Sequence, residues 1–231
     1  MNIVSYPSPN FNERLPEAGG KPDMIILHHT NMASAELALE RLTDPASEVS
    51  CHYLIHKDGT IYHLVQEKER AWHAGRVSHW KNREKINSYS IGIEIDSLGD
   101  IFTKPQMESL VALIQDIRTR YEIPNTHILG HSDIAPDRKD DPSEHFDWEY
   151  LGEKGIGCMP DHVPLLDQIP PTLEIQKILQ TIGYAIQLTG LLDDQTINVI
   201  KAFQRHFRRT KVDGVVDLET AGRMVRIKEL F

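Results

Sequence analysis

The sequence predicts an α/β protein, with a central β-sheet flanked by helices, followed by a small C-terminal three-helix bundle. Three observations carry that expectation. Short apolar runs ending in turn residues alternate with helix-period stretches across residues 24–150. A stretch holding Pro160, Pro164, Pro170 and Pro171 then interrupts the pattern. Beyond it, from Leu173 to Phe231, only compact helical periodicity remains. The 231 residues therefore divide into an N-terminal extended arm at 1–20, a main unit at 21–158, a linker at 159–171 and a helical unit at 172–231.

Taken in order, the first twenty residues set Pro7, Pro9 and Pro16 among polar neighbours, which suits an extended arm laid over the surface better than any regular element. Met24 to Leu27 is a short buried-strand run that ends abruptly in His28 and His29. Ser34 reads as the N-cap of a helix that turns Leu37, Ala38 and Leu42 inward and closes at Asp44-Pro45. His52 to Val65 alternates as a hairpin, with Asp58-Gly59 supplying the positive φ of a tight turn. In SIGIEI, residues 90–95, the three isoleucines share one face, so Glu94 projects from the other, beside the gap left by Gly92. Thr103 and Gln106 form a capping box around Pro105, and the helix that follows carries Met107, Leu110, Val111, Ile114 and Ile117 as its core stripe. Pro124 ends that stretch, and His127 to Leu129 reads as a buried strand delivering Gly130 and His131 to its end. In the tail, Ile197, Val199, Ile200, Phe203 and Phe207 fall near one stripe, capped by Asp193 or Asp194.

Composition bounds the function. Apolar content of 40% supports real cores, while a net charge of −9 and a pI near 5.7 exclude a broad electrostatic footprint for nucleic acid or anionic membrane. Cys51 and Cys158 stand in distant, dissimilar segments and are expected to be unpaired thiols. No run approaches the roughly 18 apolar residues of a membrane span. The start of the chain has neither a basic n-region nor an apolar h-region. The chain as written is thus expected in the cytoplasm, with the periplasm or cell envelope the alternative if a leader is missing or export needs no signal.

The chemistry concentrates in GHSDIAPDRKDDPSEHFDW, residues 130–148, a loop stiffened by Pro136 and Pro142 that holds His131, Lys139 and Asp141. Imidazole and carboxylate are ligands that hold zinc with a free position for water, so this stretch reads as half of a metal site. The strand ending in His28 and His29 is the candidate for the other half. His29 should point to the opposite side of that strand, and His52, His56, His63 and His127 read as strand-surface or core histidines.

ILHHT at 26–30, SCHYLIHKDGTI at 50–61, AWHAG at 71–75, SIGIEI at 90–95 and GHSDIAPDRKDDP at 130–142, in this order, resemble the zinc-dependent N-acetylmuramoyl-L-alanine amidases of the peptidoglycan-recognition-like fold. The tail, with IGY at 182–184, AFQ at 202–204 and DG at 213–214, is similar to three-helix peptidoglycan-binding modules. The resemblance implies a mixed central sheet, one zinc ion per chain held by His28, His131 and Asp141, and Glu94 and Lys139 as the catalytic pair. It implies a peptidoglycan or muropeptide substrate, with Trp72, His73 and Lys85 bordering its groove and Lys85 meeting a stem-peptide carboxylate. The bond cut would join the lactyl group of N-acetylmuramic acid, or of its 1,6-anhydro form, to L-alanine. Two departures stand out: Ser143 follows Asp-Pro where the family usually has glycine, and Cys51 stands where some relatives place a catalytic tyrosine, which leaves proton transfer to Glu94. Competing readings make Glu94 an exposed strand residue, Lys139 a solvated loop charge and Trp72 a core aromatic. A muropeptide-binding protein that does not cut is the rival function, and a closed structural zinc site the rival metal reading; the complete metal set with an adjacent general base opposes both.

Overall fold

A computed structural model describes all 231 residues. The first element departs from expectation: the N-terminal arm forms two short strands, β1 (Ile3–Ser5) and β2 (Phe11–Glu13). The arm is anchored by Arg14, whose buried guanidinium donates to the carbonyls of Glu67, Asn87, Ser88 and Ser90. A charged residue with its donors spent on backbone carbonyls carries no signature in the local sequence pattern.

β3 (Met24–His29) is an interior strand of the main sheet, and α1 (Ala35–Thr43) follows under the Ser34 cap. The buried face of α1 is Ala35, Ala38, Leu39 and Leu42, while Leu37 is 45% exposed, against expectation. A 3.6-residue period starting from Ala35 selects 38, 39 and 42 and leaves 37 outside. The hairpin is present as β4 (Tyr53–Ile55) and β5 (Ile61–His63), antiparallel, with Gly59 at φ +87° in the turn. β6 (Glu69–Ala71) pairs with β2, and a small ribbon of β7 (His79–Trp80) and β8 (Arg83–Glu84) precedes β9 (Ser90–Ile95).

α2 (Lys104–Arg118) begins at the expected capping box, with Gln106 N–H donating to Thr103 Oγ1 and Thr103 N–H to Gln106 Oε1. Its fully buried stripe includes Leu113, and Val111 is only half-buried. β10 (Ile128–Gly130) is one residue shorter at its start than expected, because His127 closes a 3-10 turn. The segment read as a loop then contains one turn of helix, α3 (His131–Ile134), and ends in α4 (Trp148–Glu153). α5 (Thr172–Ile182), α6 (Asp194–Phe207) and α7 (Leu218–Lys228) form the C-terminal unit, with Asp193 capping α6.

The main sheet runs β1-β5-β4-β9-β3-β10, mixed because only the β4–β5 pair is antiparallel. Alternation gives it two faces. Ile25, Leu27, Ile91, Ile93 and Ile95 pack under α2 in one cluster. Met24, Ile26 and Leu129, on the other face, share a cluster with Ile178, Leu179, Phe203 and Phe207 of the helical unit. Trp80 meets Tyr184 edge-on at 5.1 Å, in space that exists because a Cβ at Gly183 would lie 2.6 Å from the indole. The Pro-rich stretch therefore separates two helical and sheet units in sequence while their apolar faces join in one core, contrary to the independence that a linker implies. No helix is long and apolar enough to cross a membrane. Both cysteines are free, and Cys51 is buried in the α1 cluster.

Candidate active site

The register of β3 against β9 pairs His28 with Glu94, so the two side chains leave the same face at the carboxyl ends of adjacent parallel strands. β10, paired to the other side of β3, hands the chain to α3, whose first residue is His131. Ser132 N–H donates to the Asp141 carbonyl at 2.9 Å, which returns the loop to the same place. His28, His131 and Asp141 are all buried, and their ligand atoms form a triangle. The two Nδ1 atoms are 3.1 Å apart, and Asp141 Oδ2 lies 2.9 Å from that of His28 and 3.1 Å from that of His131. A ring nitrogen carries one hydrogen at most and cannot aim it at two partners at once. Three lone-pair atoms converging on one point suit a shared cation.

The hydrogen-bond chain behind His28 agrees. The Ser90 hydroxyl donates to the Ile86 carbonyl at 2.8 Å, so its oxygen accepts from His73 Nε2–H at 3.1 Å. That leaves His73 Nδ1 to accept from His28 Nε2–H at 3.0 Å, and His28 Nδ1 keeps a bare lone pair facing the triangle. Burial lowers the His28 imidazole to about 4, so the ring is neutral near pH 7. Burial by itself would raise the Asp141 carboxyl, but His131 and His28 hold it well below the ordinary carboxylate range. The His73 ring occupies the gap at Gly92, where a Cβ would stand 2.3 Å from His73 Cγ.

Glu94 lines a cavity of about 390 Å³ together with the triangle, Trp72, Arg138 and Lys139. Its Oε2 finds no partner within the protein, and burial, followed by the charge of Asp141, pushes its carboxyl up to about 8 against the opposing Lys139. A second cavity of about 410 Å³ shares Trp72, His73, His131, Arg138 and Lys139 with the first and adds Arg70, Arg76 and Glu48, the last 3.6 Å from Arg76, so cations outnumber the acidic group in it. Trp72 is half-buried at its wall, its indole N–H donating to Asn12 Oδ1 of the N-terminal arm at 2.9 Å.

Seven of the expected site residues thus meet at one place. Their arrangement differs from expectation in two respects. His73 lines both cavities as expected but is only 8% exposed, with both ring nitrogens engaged in the chain behind His28. Lys85 is exposed on the turn before β9 and lines neither cavity. Arg138 is the cation that sequence reasoning passed over; it sits within the 130–142 motif, and Ala74 and Val77 carbonyls accept from its guanidinium. Of the two departures, Ser143 uses its hydroxyl to donate to the Gly99 carbonyl, and Cys51 is packed away from solvent. His29 turns to the opposite face, against Gly99, as the strand period requires.

Comparison with known proteins follows the same division. The sequence profile described as N-acetylmuramoyl-L-alanine amidase matches residues 18–144, and that of a peptidoglycan binding domain matches residues 170–224. The N-acetylmuramoyl-L-alanine amidase AmiD of Escherichia coli K12 is 34% identical over 227 residues, spanning 85% of this chain and 79% of AmiD. The 1,6-anhydro-N-acetylmuramyl-L-alanine amidase AmpD of Enterobacter cloacae is 37% identical over 160 residues, 62% of this chain and 84% of AmpD. The structure of E. coli AmiD in complex with the substrate anhydro-N-acetylmuramic acid-L-Ala-D-gamma-Glu-L-Lys superposes with a TM-score of 0.82 at 32% identity, covering 91% of this chain and 90% of that one. AmpDh3 of Pseudomonas aeruginosa, in complex with anhydromuramic pentapeptide, gives 0.83 at 32% identity, with 90% and 92% covered. With more than half of its length matched by the first profile and an aligned relative across most of the rest, this chain belongs to the N-acetylmuramoyl-L-alanine amidase family.

Proposed function

We propose that this enzyme hydrolyses the amide between the lactyl group of N-acetylmuramic acid, including its 1,6-anhydro form, and L-alanine of the stem peptide. The observation that carries the reading is the His28–His131–Asp141 triangle with the unpartnered carboxylate of Glu94 on the next strand. Two imidazoles and one carboxylate, their donor atoms 2.9–3.1 Å apart and free of other claims, suit one zinc ion per chain and would hold it. Zinc held there would supply a Lewis acid and would lower the pKa of a water to about 7.

The remaining steps belong to the chain. Glu94 takes the proton of the attacking water and returns a proton to the leaving amine of L-alanine. A carboxyl held near neutrality by burial is matched to both transfers. Lys139, on the wall of the same cavity, supports the negative charge that develops on the amide oxygen. Arg70, Arg76 and Arg138 give the groove a cationic lining that suits stem-peptide carboxylates, the task earlier expected of Lys85. Trp72, braced by Asn12, offers an apolar wall for the sugar or lactyl group. Incubating the full-length protein with a defined 1,6-anhydro-muropeptide should release free stem peptide beginning with L-alanine and the peptide-free sugar, as read by mass spectrometry. Cleavage at a glycosidic bond or within the peptide, or no cleavage by the zinc-loaded protein, would overturn the reading.

A further inference from the structure

We propose that the helical unit is a wall of the metal site: through Tyr184 and His206 it holds Asp133, and through Asp133 the one-turn helix that presents His131. The inference rests on the metal reading above and adds a task for the C-terminal unit in the chemistry itself.

The Asp133 side chain is fully buried. Its carboxylate accepts three hydrogen bonds: from Gly130 N–H at 2.8 Å, from the Tyr184 hydroxyl at 2.7 Å and from His206 Nδ1–H at 2.7 Å. The last two donors come from the helical unit, and both are fixed by packing. Tyr184 stands edge-on to Trp80, and the His206 ring lies stacked between Trp148, at 3.7 Å, and Phe207, at 4.0 Å. A buried carboxylate deprived of two of three donors must move or draw water in.

What it would move is the ligand platform. α3 is a single turn of four residues, far below the length at which a helix holds itself together. Its N-terminus is pinned by Asp133, and it carries His131 directly and Asp141 through the Ser132 N–H bond to the Asp141 carbonyl. Gly130 lies so close to this loop that a Cβ there would come within 2.9 Å of Pro142 Cδ. The turn that Tyr184 and His206 grip therefore sets two of the three ligand atoms. No second histidine orients the His131 ring from behind as His73 orients His28, since His131 Nε2 has no partner within the protein. Its orientation depends on the backbone beneath it.

The test is the zinc dissociation constant of the full-length protein, measured by competition with a chromophoric chelator, alongside the melting temperature of the metal-free form. Tyr184→Phe keeps the ring against Trp80 and removes the hydroxyl; the expected result is about tenfold weaker zinc binding, the low end for an outer-shell partner. His206→Phe keeps the stack and should weaken zinc similarly, whereas His206→Asn, whose amide nitrogen stands in for Nδ1, should stay near wild type. Arg209→Gln removes contacts to Asp147 and Glu149 elsewhere on the same interface and should leave zinc affinity unchanged, even if the melting temperature falls. In an Asp133→Ala background, which removes the acceptor altogether, Tyr184→Phe should add no further loss. Wild-type zinc affinity in both Tyr184→Phe and His206→Phe, an equal loss in Arg209→Gln, or full additivity with Asp133→Ala would overturn the proposal. A wild-type protein that binds no zinc at all would strike the metal reading itself, which separates the two failures.

Discussion

At the scale of the residue, the ligands and the base should separate cleanly. His28→Ala, His131→Ala and Asp141→Ala each remove one corner of the triangle, and metal analysis of the purified variants should find zinc and turnover lost together. Full zinc in all three would show that the triangle is not the binding site. Glu94→Ala takes away no corner, so it should keep zinc while turnover falls about 10²-fold to 10⁴-fold. Wild-type turnover in that variant would move the proton to another group. These five-motif residues were legible because each sits at a strand end or in a loop whose residue types have few other uses. Ser90, His73 in its buried role and Asp133 were not: a serine inside a strand, a histidine before Ala-Gly and an aspartate in a turn are ordinary in sequence. Only the closure of a hydrogen-bond chain through space gives them meaning.

At the scale of the element, β9 brings two requirements into six residues. Its isoleucines bury one face while Ser90, Gly92 and Glu94 serve the other in succession: a hydrogen-bond acceptor, a space and a base. Gly92→Ala tests the middle one. The added Cβ would fall 2.3 Å from His73 Cγ, a contact no rotamer shift of a methyl can relieve, so the His73 ring must leave and His28 Nε2 loses its partner. The expected outcome is a loss of zinc affinity of tenfold or more, with a destabilisation of about 1–3 kcal/mol from overpacking. Unchanged zinc affinity would mean that the Ser90–His73–His28 chain does not hold the ligand. The helices α1 and α2 were placed correctly from caps and period, yet single positions slipped, Leu37 outward and Leu113 inward, because a stripe's centre is set by what it packs on and not by the helix alone.

At the scale of the molecule, the open question is whether residues 172–231 tether the enzyme or complete it, and the two roles predict different fragments. A tether raises the effective concentration of enzyme on polymeric peptidoglycan and leaves soluble muropeptides unaffected when it is cut away. Composition does not choose between them, since four prolines between two periodic regions look the same whether the units stand apart or fold back. The packing favours completion: Met24, Ile26, Leu129, Ile134 and Trp80 of the first unit lie in one cluster with the helical residues. At about 1.5–3 kcal/mol for each large apolar side chain returned to water, uncovering five of them costs on the order of 10 kcal/mol. That is comparable to the entire stability of a typical domain. Truncation after Met159 should therefore yield a fragment that aggregates or binds a hydrophobic dye without a cooperative melt, and it should lose turnover of soluble 1,6-anhydro-muropeptides as well as of sacculi. A truncated protein that melts cooperatively, keeps zinc and cleaves soluble muropeptides at the full-length rate would return the tail to the role of tether. In that case its contacts with Trp80, Trp148 and Asp133 would be docking without consequence for the site.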